Sequence, residues 1–291
     1  MNKFHGTGVA MATPFHPDGA VDFGGLEAVI NHIIGGGVEY LVSLGTTGES
    51  STLNKDEKKQ IWKRTVEITN GRVPLVAGIG GNNTYEVLKS IEEFDAEGYD
   101  AILSVSPYYN KPTQEGIYQH YKAIAENSPL PVFLYNVPGR TGSTISADTT
   151  LRLAHDFKNI IATKEATGNF DHFNHILKNK PEEFLFISGD DPVTLPLIAM
   201  GAVGVISVIG NALPRVFSAM IRLCLQGDFA KARPLHYSLI EFTALMFAEG
   251  NPAGVKYALK ELGICGDTLR LPLVGIGEQT AKKISEQLQV L

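Results

Sequence analysis

Two cysteines in 291 residues are too few for a disulfide framework. Cys224 and Cys265 also lie far apart, without Cys-x-x-Cys spacing, so a thiolate metal site is not indicated either. This usage fits a reducing cytoplasm. No run of about 20 uninterrupted apolar residues occurs, so no membrane-spanning helix is expected. Met1 to Ala10 lacks the basic segment and long apolar run of an export signal. A basic field is missing as well. The 25 Lys and Arg stand against 31 Asp and Glu, a formal charge of −6, and the cations are scattered. Such a surface does not condense onto a phosphate backbone, so nucleic acid is not an expected partner. The chain has no GxxxxGK[ST] loop, and GIGGNN at 78–83 lacks GxGxxG spacing, which disfavours nucleotide and dinucleotide binding.

Hydrophobic residues make up 44% and charged residues 19%, the balance of a chain able to bury a full core. Short apolar, β-branched runs alternate with longer segments of helical period, the pattern of repeated βα units around a parallel sheet. Strands are predicted near 6–10, 40–44, 73–78, 101–105, 132–135, 160–164, 184–188 and 204–208, and eight is the number that closes a barrel. Helices are predicted between them near 23–34, 55–69, 84–96, 114–126, 147–155, 170–178, 194–200 and 215–225. Asn54 before Asp56 and Glu57, and Ser146 before Asp148, place cap acceptors and acidic groups at helix starts. Past about Gly227 the strands stop, and 229–248, 252–262 and 278–290 read as helices. The expectation is an α/β fold, a (β/α)8 TIM barrel over 1–227 with a C-terminal helical subdomain over 228–291.

In such a barrel functional groups collect where strands end at their C-termini. Five polar clusters fall at those ends: GTTGES at 45–50, SPYYNKP at 106–112, YNVPGRTG at 135–142, KEATGN at 164–169 and SGDD at 188–191. Lys164 is the sharpest feature, because it directly follows Ile160, Ile161, Ala162 and Thr163. A lysine at a strand end often only snorkels to solvent. A desolvated one attacks a ketone as the neutral amine. GTTGES offers glycines, hydroxyls and backbone N–H groups suited to a small carboxylate, although a plain strand-to-helix turn has the same composition. Tyr135 and Tyr109 place phenols at two other strand ends, either to pass protons or only to pack. Arg140, in a loop of Gly, Pro and Thr, either forks onto a carboxylate or makes a surface ion pair. His172 and His175 are three apart on a predicted helix but have no HExxH pattern and no third ligand in register, so no metal is expected. Asp190 and Asp191 read as loop caps or rim acids.

As a set, GTTGES at 45, Tyr-Asn-x-Pro at 135 and KEATGN at 164 stand in the order and at the spacing of the pyruvate-dependent class I aldolases, which the chain resembles over essentially its whole length. The resemblance implies that Lys164 forms a Schiff base with pyruvate and that Tyr135 is the acid/base centre. It implies a proton relay completed by Thr46 and by Tyr109, the latter supplied by a neighbouring subunit. Thr47 would bind the pyruvate carboxylate, and the backbone at Gly189 and Ile206 would line the pocket. Arg140 matches the carboxylate receptor of the synthase branch, which condenses pyruvate with L-aspartate 4-semialdehyde to 4-hydroxy-tetrahydrodipicolinate. The branch that cleaves N-acetylneuraminate or keto-deoxy sugar acids typically lacks that arginine. A synthase is the first expectation and an aldolase of the other branch the alternative. A non-catalytic barrel that binds a keto acid is a third reading, against which Lys164, Thr46 and Tyr135 together argue. No cofactor is implied, because the protonated imine is the electron sink.

The same resemblance implies a homo-oligomer, a dimer or a dimer of dimers, that is, a homotetramer. It also implies an effector site for lysine at Ser50, Asn82, Glu86 and Tyr108. Lys55 and Lys58 depart from feedback-sensitive relatives in a way that would repel a cationic effector. Gly254, in NPAGVK at 251–256, departs too, standing where such synthases often carry a second proline.

Overall fold

The computed structural model describes residues 3–291. Eight parallel strands, β1 (Gly6–Ala10), β2 (Tyr40–Ser43), β3 (Leu75–Gly78), β4 (Ala101–Val105), β5 (Val132–Asn136), β6 (Ile160–Glu165), β7 (Leu185–Ser188) and β8 (Gly204–Ser207), close into a barrel in sequence order. The helices are α1 (Phe23–Gly35), α2 (Lys55–Thr69), α3 (Thr84–Glu92), α4 (Gln114–Asn127), α5 (Pro138–Thr141), α6 (Ala147–Asp156), α7 (Phe170–Asn179), α8 (Thr194–Met200), α9 (Pro214–Leu225), α10 (Phe229–Phe247), α11 (Ala253–Glu261) and α12 (Glu278–Leu288). The (β/α)8 barrel expected from the apolar runs is the fold observed. Strands covered on both faces carry no polar alternation, and β1, β2 and β5 are buried at every position.

Local signals set most of the helix starts. Asn54 accepts from the Glu57 N–H while the Glu57 carboxylate accepts from the Asn54 N–H, a complete capping box. Ser146 caps α6 through the Thr149 N–H. The one long overshoot is α3, predicted to run to about 96 and observed to stop at Glu92. Phe94 turns inward to stack edge-on against Tyr99 at 5.2 Å, and the Asp95 carboxylate accepts from the Glu97 N–H, so side chains offer that stretch a better arrangement than another helical turn. The four-residue α5 has no sequence period to betray it; a proline starts it and Gly142, at φ 71°, ends it.

The chain divides into two compact units. One comprises Met1–Pro74 with Ser207–Leu291. Within it β1 pairs with β2, α9 lies against β1 and α1, α10 packs along α9, and α11 and α12 pack on α10. The other comprises Leu75–Ile206, in which β3 to β7 pair in sequence order. Phe173 of α7 meets Phe186 of β7 edge-on at 5.5 Å, and both are fully buried. Burial of this kind stabilises by about 1.5–3 kcal/mol per side chain.

One irregularity in the second unit decides which residue faces Lys164. Between β5 and β6 the register runs Val132↔Ile160 and then Phe133↔Ala162, so Ile161 is an extra residue with no partner. An unbroken ladder from Val132↔Ile160 would set Tyr135 against Thr163. The bulge instead sets Tyr135 opposite Lys164, and Asn136 opposite Glu165.

Candidate active site

In the unit 75–206, Lys164 and Tyr135 are 5% and 6% exposed, and the lysine ammonium lies over the tyrosine ring, 4.3 Å from its centroid. A cation desolvated against a π face interacts at about 1–2 kcal/mol. The Gly189 N–H donates to the Glu165 carbonyl at 2.7 Å. A Cβ at Gly189 would stand 3.1 Å from the lysine Cε and 3.0 Å from the Glu165 carbonyl oxygen, so glycine there leaves room for the lysine side chain. Burial raises the Asp190 carboxyl above the usual range, and the Lys164 charge opposes that shift. Its backbone carbonyl accepts from the Ser188 and Thr194 hydroxyls, so the cap role expected of it is carried by its main chain. Ile206, at the end of β8, is buried.

Behind this pair, on the other face of the same two strands, Asn136 and Glu165 make a polar contact that the sequence reading passed over. The Asn136 amide donates to Glu165 Oε2 at 3.1 Å, Thr163 Oγ1 donates to Glu165 Oε1 at 3.1 Å, and His172 Nε2 of α7 stands 3.3 Å from Oε2. Glu165 is fully buried, and burial drives its carboxyl above the ordinary range, with His172, Asn136 and Thr163 opposing. Asn136 also brackets the loop that follows it, accepting from the Ile145 N–H and donating to the Ile145 carbonyl, each at 3.0 Å. That bracket closes the loop carrying α5 and Arg140. Adjacent motif letters, Tyr-Asn and Lys-Glu, therefore split onto opposite faces of the two strands.

Other expected residues of this unit are more exposed than the lysine. Arg140 is exposed and makes no ion pair with a carboxylate among the described residues. Tyr109 is 89% exposed at φ 72°, a left-handed conformation that costs a non-glycine residue of order 1 kcal/mol. Tyr108 is 40% exposed, Glu86 is exposed in the first turn of α3, and Asn82 accepts at its carbonyl from the Asn110 amide. His172 faces Glu165, whereas His175 faces Asp148 at 2.9 Å.

In the other unit, GTTGES forms a tight turn. The Gly48 N–H donates to the Gly45 carbonyl and the Glu49 N–H to the Thr46 carbonyl. A Cβ at Gly48 would meet Leu44 Cα and the Met11 carbonyl oxygen at 3.2 Å, so a side chain there would require backbone to give by a few tenths of an ångström. Thr46 is half-buried and Thr47 is 1% exposed, its Oγ1 accepting from the Asn251 amide at 3.0 Å. Glu49, at φ 51°, pairs with Lys256, both side chains fully buried. Ser50 is half-buried in the short 3-10 turn that follows, Lys55 is exposed at the start of α2, and burial pulls the Lys58 ammonium below its ordinary range.

The model of the dihydrodipicolinate synthetase family matches residues 3–291. The 4-hydroxy-tetrahydrodipicolinate synthase of Flavobacterium psychrophilum is 53% identical over 284 residues, covering 98% of this chain and 97% of the relative. That of Phocaeicola vulgatus is 53% identical over 289 residues, covering 99% and 97%. The crystal structure of dihydrodipicolinate synthase from Aquifex aeolicus aligns with a TM-score of 0.95 at 41% identity, covering 99% of this chain and 98% of that one.

Proposed function

The chain belongs to the dihydrodipicolinate synthetase family, and we propose on that premise the roles its residues take. The reaction condenses pyruvate with L-aspartate 4-semialdehyde through a lysine Schiff base to give 4-hydroxy-tetrahydrodipicolinate, a step of lysine and diaminopimelate biosynthesis. Lys164 attacks the pyruvate ketone and water leaves. The protonated imine draws electrons from the methyl carbon, which loses a proton and becomes an enamine nucleophile toward the aldehyde. The substrate's own amino group then displaces Lys164 by transimination as the ring closes. Tyr135 exchanges protons at this centre, with Thr46 and the Tyr109 phenol of a second copy continuing the relay. Thr47 receives the pyruvate carboxylate, the backbone of Gly189 and Ile206 lines the pocket, and the unpaired Arg140 receives the carboxylate of the semialdehyde. Among the described residues no helix is long and apolar enough to cross a membrane, and a cytoplasmic location is part of the proposal.

The observation that carries this reading is a buried lysine set by a bulge opposite a buried tyrosine, with its ammonium over the ring and a glycine beside its Cε. Borohydride reduction with pyruvate is expected to leave a covalent pyruvyl adduct on the wild type and none on Lys164→Ala. Condensation should fall by orders of magnitude in that variant, whereas near-wild-type turnover would sink the assignment. Mixing Lys164→Ala with Tyr109→Phe extends the experiment to assembly, a dimer or dimer of dimers. Hybrid oligomers that regain activity support shared sites, and a fully active monomer in sedimentation overturns them.

Inhibition by lysine is expected to be weak or absent. The cations Lys55 and Lys58 stand near Ser50 in sequence, with Lys55 exposed, and a cationic effector meets repulsion there. Half-inhibition well below millimolar lysine would overturn this.

A further inference from the structure

We infer that the C-terminal segment 251–270 is a positioning device for the hydroxyl loop, with Asn251 setting the Thr47 hydroxyl as a donor and Lys256 and Arg270 holding the Glu49 turn. This deepens the proposed function, since it rests on Thr47 as the receiver of the pyruvate carboxylate. Thr47 Oγ1 already accepts a hydrogen bond from the Asn251 amide at 3.0 Å. A hydroxyl that accepts from an amide keeps its own proton for a further acceptor, and a carboxylate oxygen is one. Asn251 is itself 6% exposed, and its Oδ1 is buried without a hydrogen-bond partner. That oxygen calls for a donor, which a carboxylate is not, so the group on offer to the pyruvate carboxylate is the Thr47 proton, left unused because Asn251 turns its amide N–H and not its oxygen toward Thr47.

The second half of the device holds the loop's shape. Glu49 adopts a left-handed backbone conformation without being glycine, which persists only where the surroundings enforce it. The surroundings are the tail. Lys256 pairs with Glu49 and donates to the Thr268 carbonyl at 2.8 Å, the Arg270 N–H donates to Glu49 Oε2 at 3.2 Å, and the Arg270 guanidinium donates to the Thr52 carbonyl and to Glu57. The Phe15 ring lies under both cations, 4.1 Å from Lys256 Nζ and 4.5 Å from Arg270 Cζ. A fully buried ion pair is seldom more stabilising than apolar side chains of the same size, so stability alone gives it little reason to exist; fixing one geometry does. Gly254 fits the same account. A Cβ there would stand 2.8 Å from the Leu245 carbonyl oxygen and from Met246 Cα, so its absence lets α11 seat against the end of α10 and fixes where Asn251 and Lys256 begin.

The test separates this inference from the reading beneath it. The pyruvate concentration for half-maximal borohydride trapping is measured for wild type, Asn251→Asp, Asn251→Ala, Lys256→Met and Lys256→Arg, with kcat for condensation and the melting temperature alongside. The carboxylate in Asn251→Asp has the shape of the amide but donates nothing, so it draws the Thr47 proton to itself. Half-saturation is expected to rise tenfold or more in Asn251→Asp, Asn251→Ala and Lys256→Met, with kcat changed by less than about threefold, while Lys256→Arg stays within threefold of wild type. Folded variants at Asn251 that keep wild-type half-saturation overturn the inference. If Lys256→Met does not fold, the Asn251 variants decide. Absence of trapping in the wild type would sink the Schiff-base reading instead.

Discussion

Lys256 and Glu49 are fully buried in the unit formed by 1–74 and 207–291, where they meet as an ion pair. Glu165, equally buried in the unit 75–206, meets an asparagine amide, a threonine hydroxyl and a histidine ring. The partners differ. Burial lowers the Lys256 ammonium against the opposing Glu49 charge, and the two side chains meet as a clamp. In the second unit burial raises the Glu165 carboxyl against the opposing His172, Asn136 and Thr163, and lowers the His120 imidazole to about 4. One unit holds its loop with paired charge. The other surrounds the buried Glu165 with an amide, a hydroxyl and an imidazole, and burial moves this acid and the His120 imidazole toward their neutral forms.

The largest effect should come from breaking the clamp. Lys256→Met leaves Glu49 buried without its cation, a change that costs about 3–5 kcal/mol. Adding Glu49→Gln removes the stranded charge and should recover most of that loss, since a buried pair replaced as a whole is close to neutral. Urea unfolding of the single and double variants measures both. A single variant that loses less than about 1 kcal/mol would show that the two units do not differ in this way.

The strands and the lysine were legible because their signals are local. Three apolar residues and a threonine run into Lys164, and glycine-rich clusters mark the strand ends. What the sequence hid is relational. The bulge at Ile161 exists only as a mismatch between two strands, and Asn251 finds Thr47 across 204 residues. Asn136 and Glu165 sat inside the motifs without a role of their own. The signal that would have found them is position: they follow Tyr135 and Lys164 by one, so in a strand each faces the opposite way, and a buried amide beside a buried acid calls for a partner. Arg140 was legible as a residue, whereas the Asn136 bracket that closes its loop was not, because it needs the Ile145 backbone folded back nine residues on.

A smaller effect tests the neutral side of the comparison through pH. His120 of α4 is 4% exposed, with Nδ1 2.8 Å from Thr84 Oγ1, its ring edge-on to Tyr121 at 5.3 Å, and Nε2 buried without a partner. Its folded value of about 4 lies below the 6.5 of an unfolded histidine. The stability it contributes is therefore complete above pH 6.5 and is lost as pH falls through 4, as the unfolded chain takes up the proton that the folded one refuses. The loss approaches about 3 kcal/mol at the bottom of that window. His120→Gln has no such proton uptake. The stability difference between wild type and variant should therefore shift by up to that amount between pH 7 and pH 4, and parallel pH curves would count against a neutral buried imidazole.

The smallest effect is expected at Glu165, and its sign decides whether the two units truly differ. A carboxyl raised in the folded state binds its proton more tightly there than in the unfolded chain, so its contribution is full below the ordinary value of 4.5 and is lost as pH rises through the raised one. Glu165→Gln does not titrate. Its side-chain oxygen still accepts from the Asn136 amide, and its amide donates to His172 Nε2, so the contacts survive and the change at neutral pH should be about 1 kcal/mol or less. Thermal melts across that window should show the variant gaining on the wild type as pH rises. The opposite outcome has a specific meaning. If Glu165→Gln costs as much as Lys256→Met and loses ground with rising pH, then Glu165 and His172 form a charged pair, the second unit clamps its strand as the first clamps its loop, and the contrast between them fails.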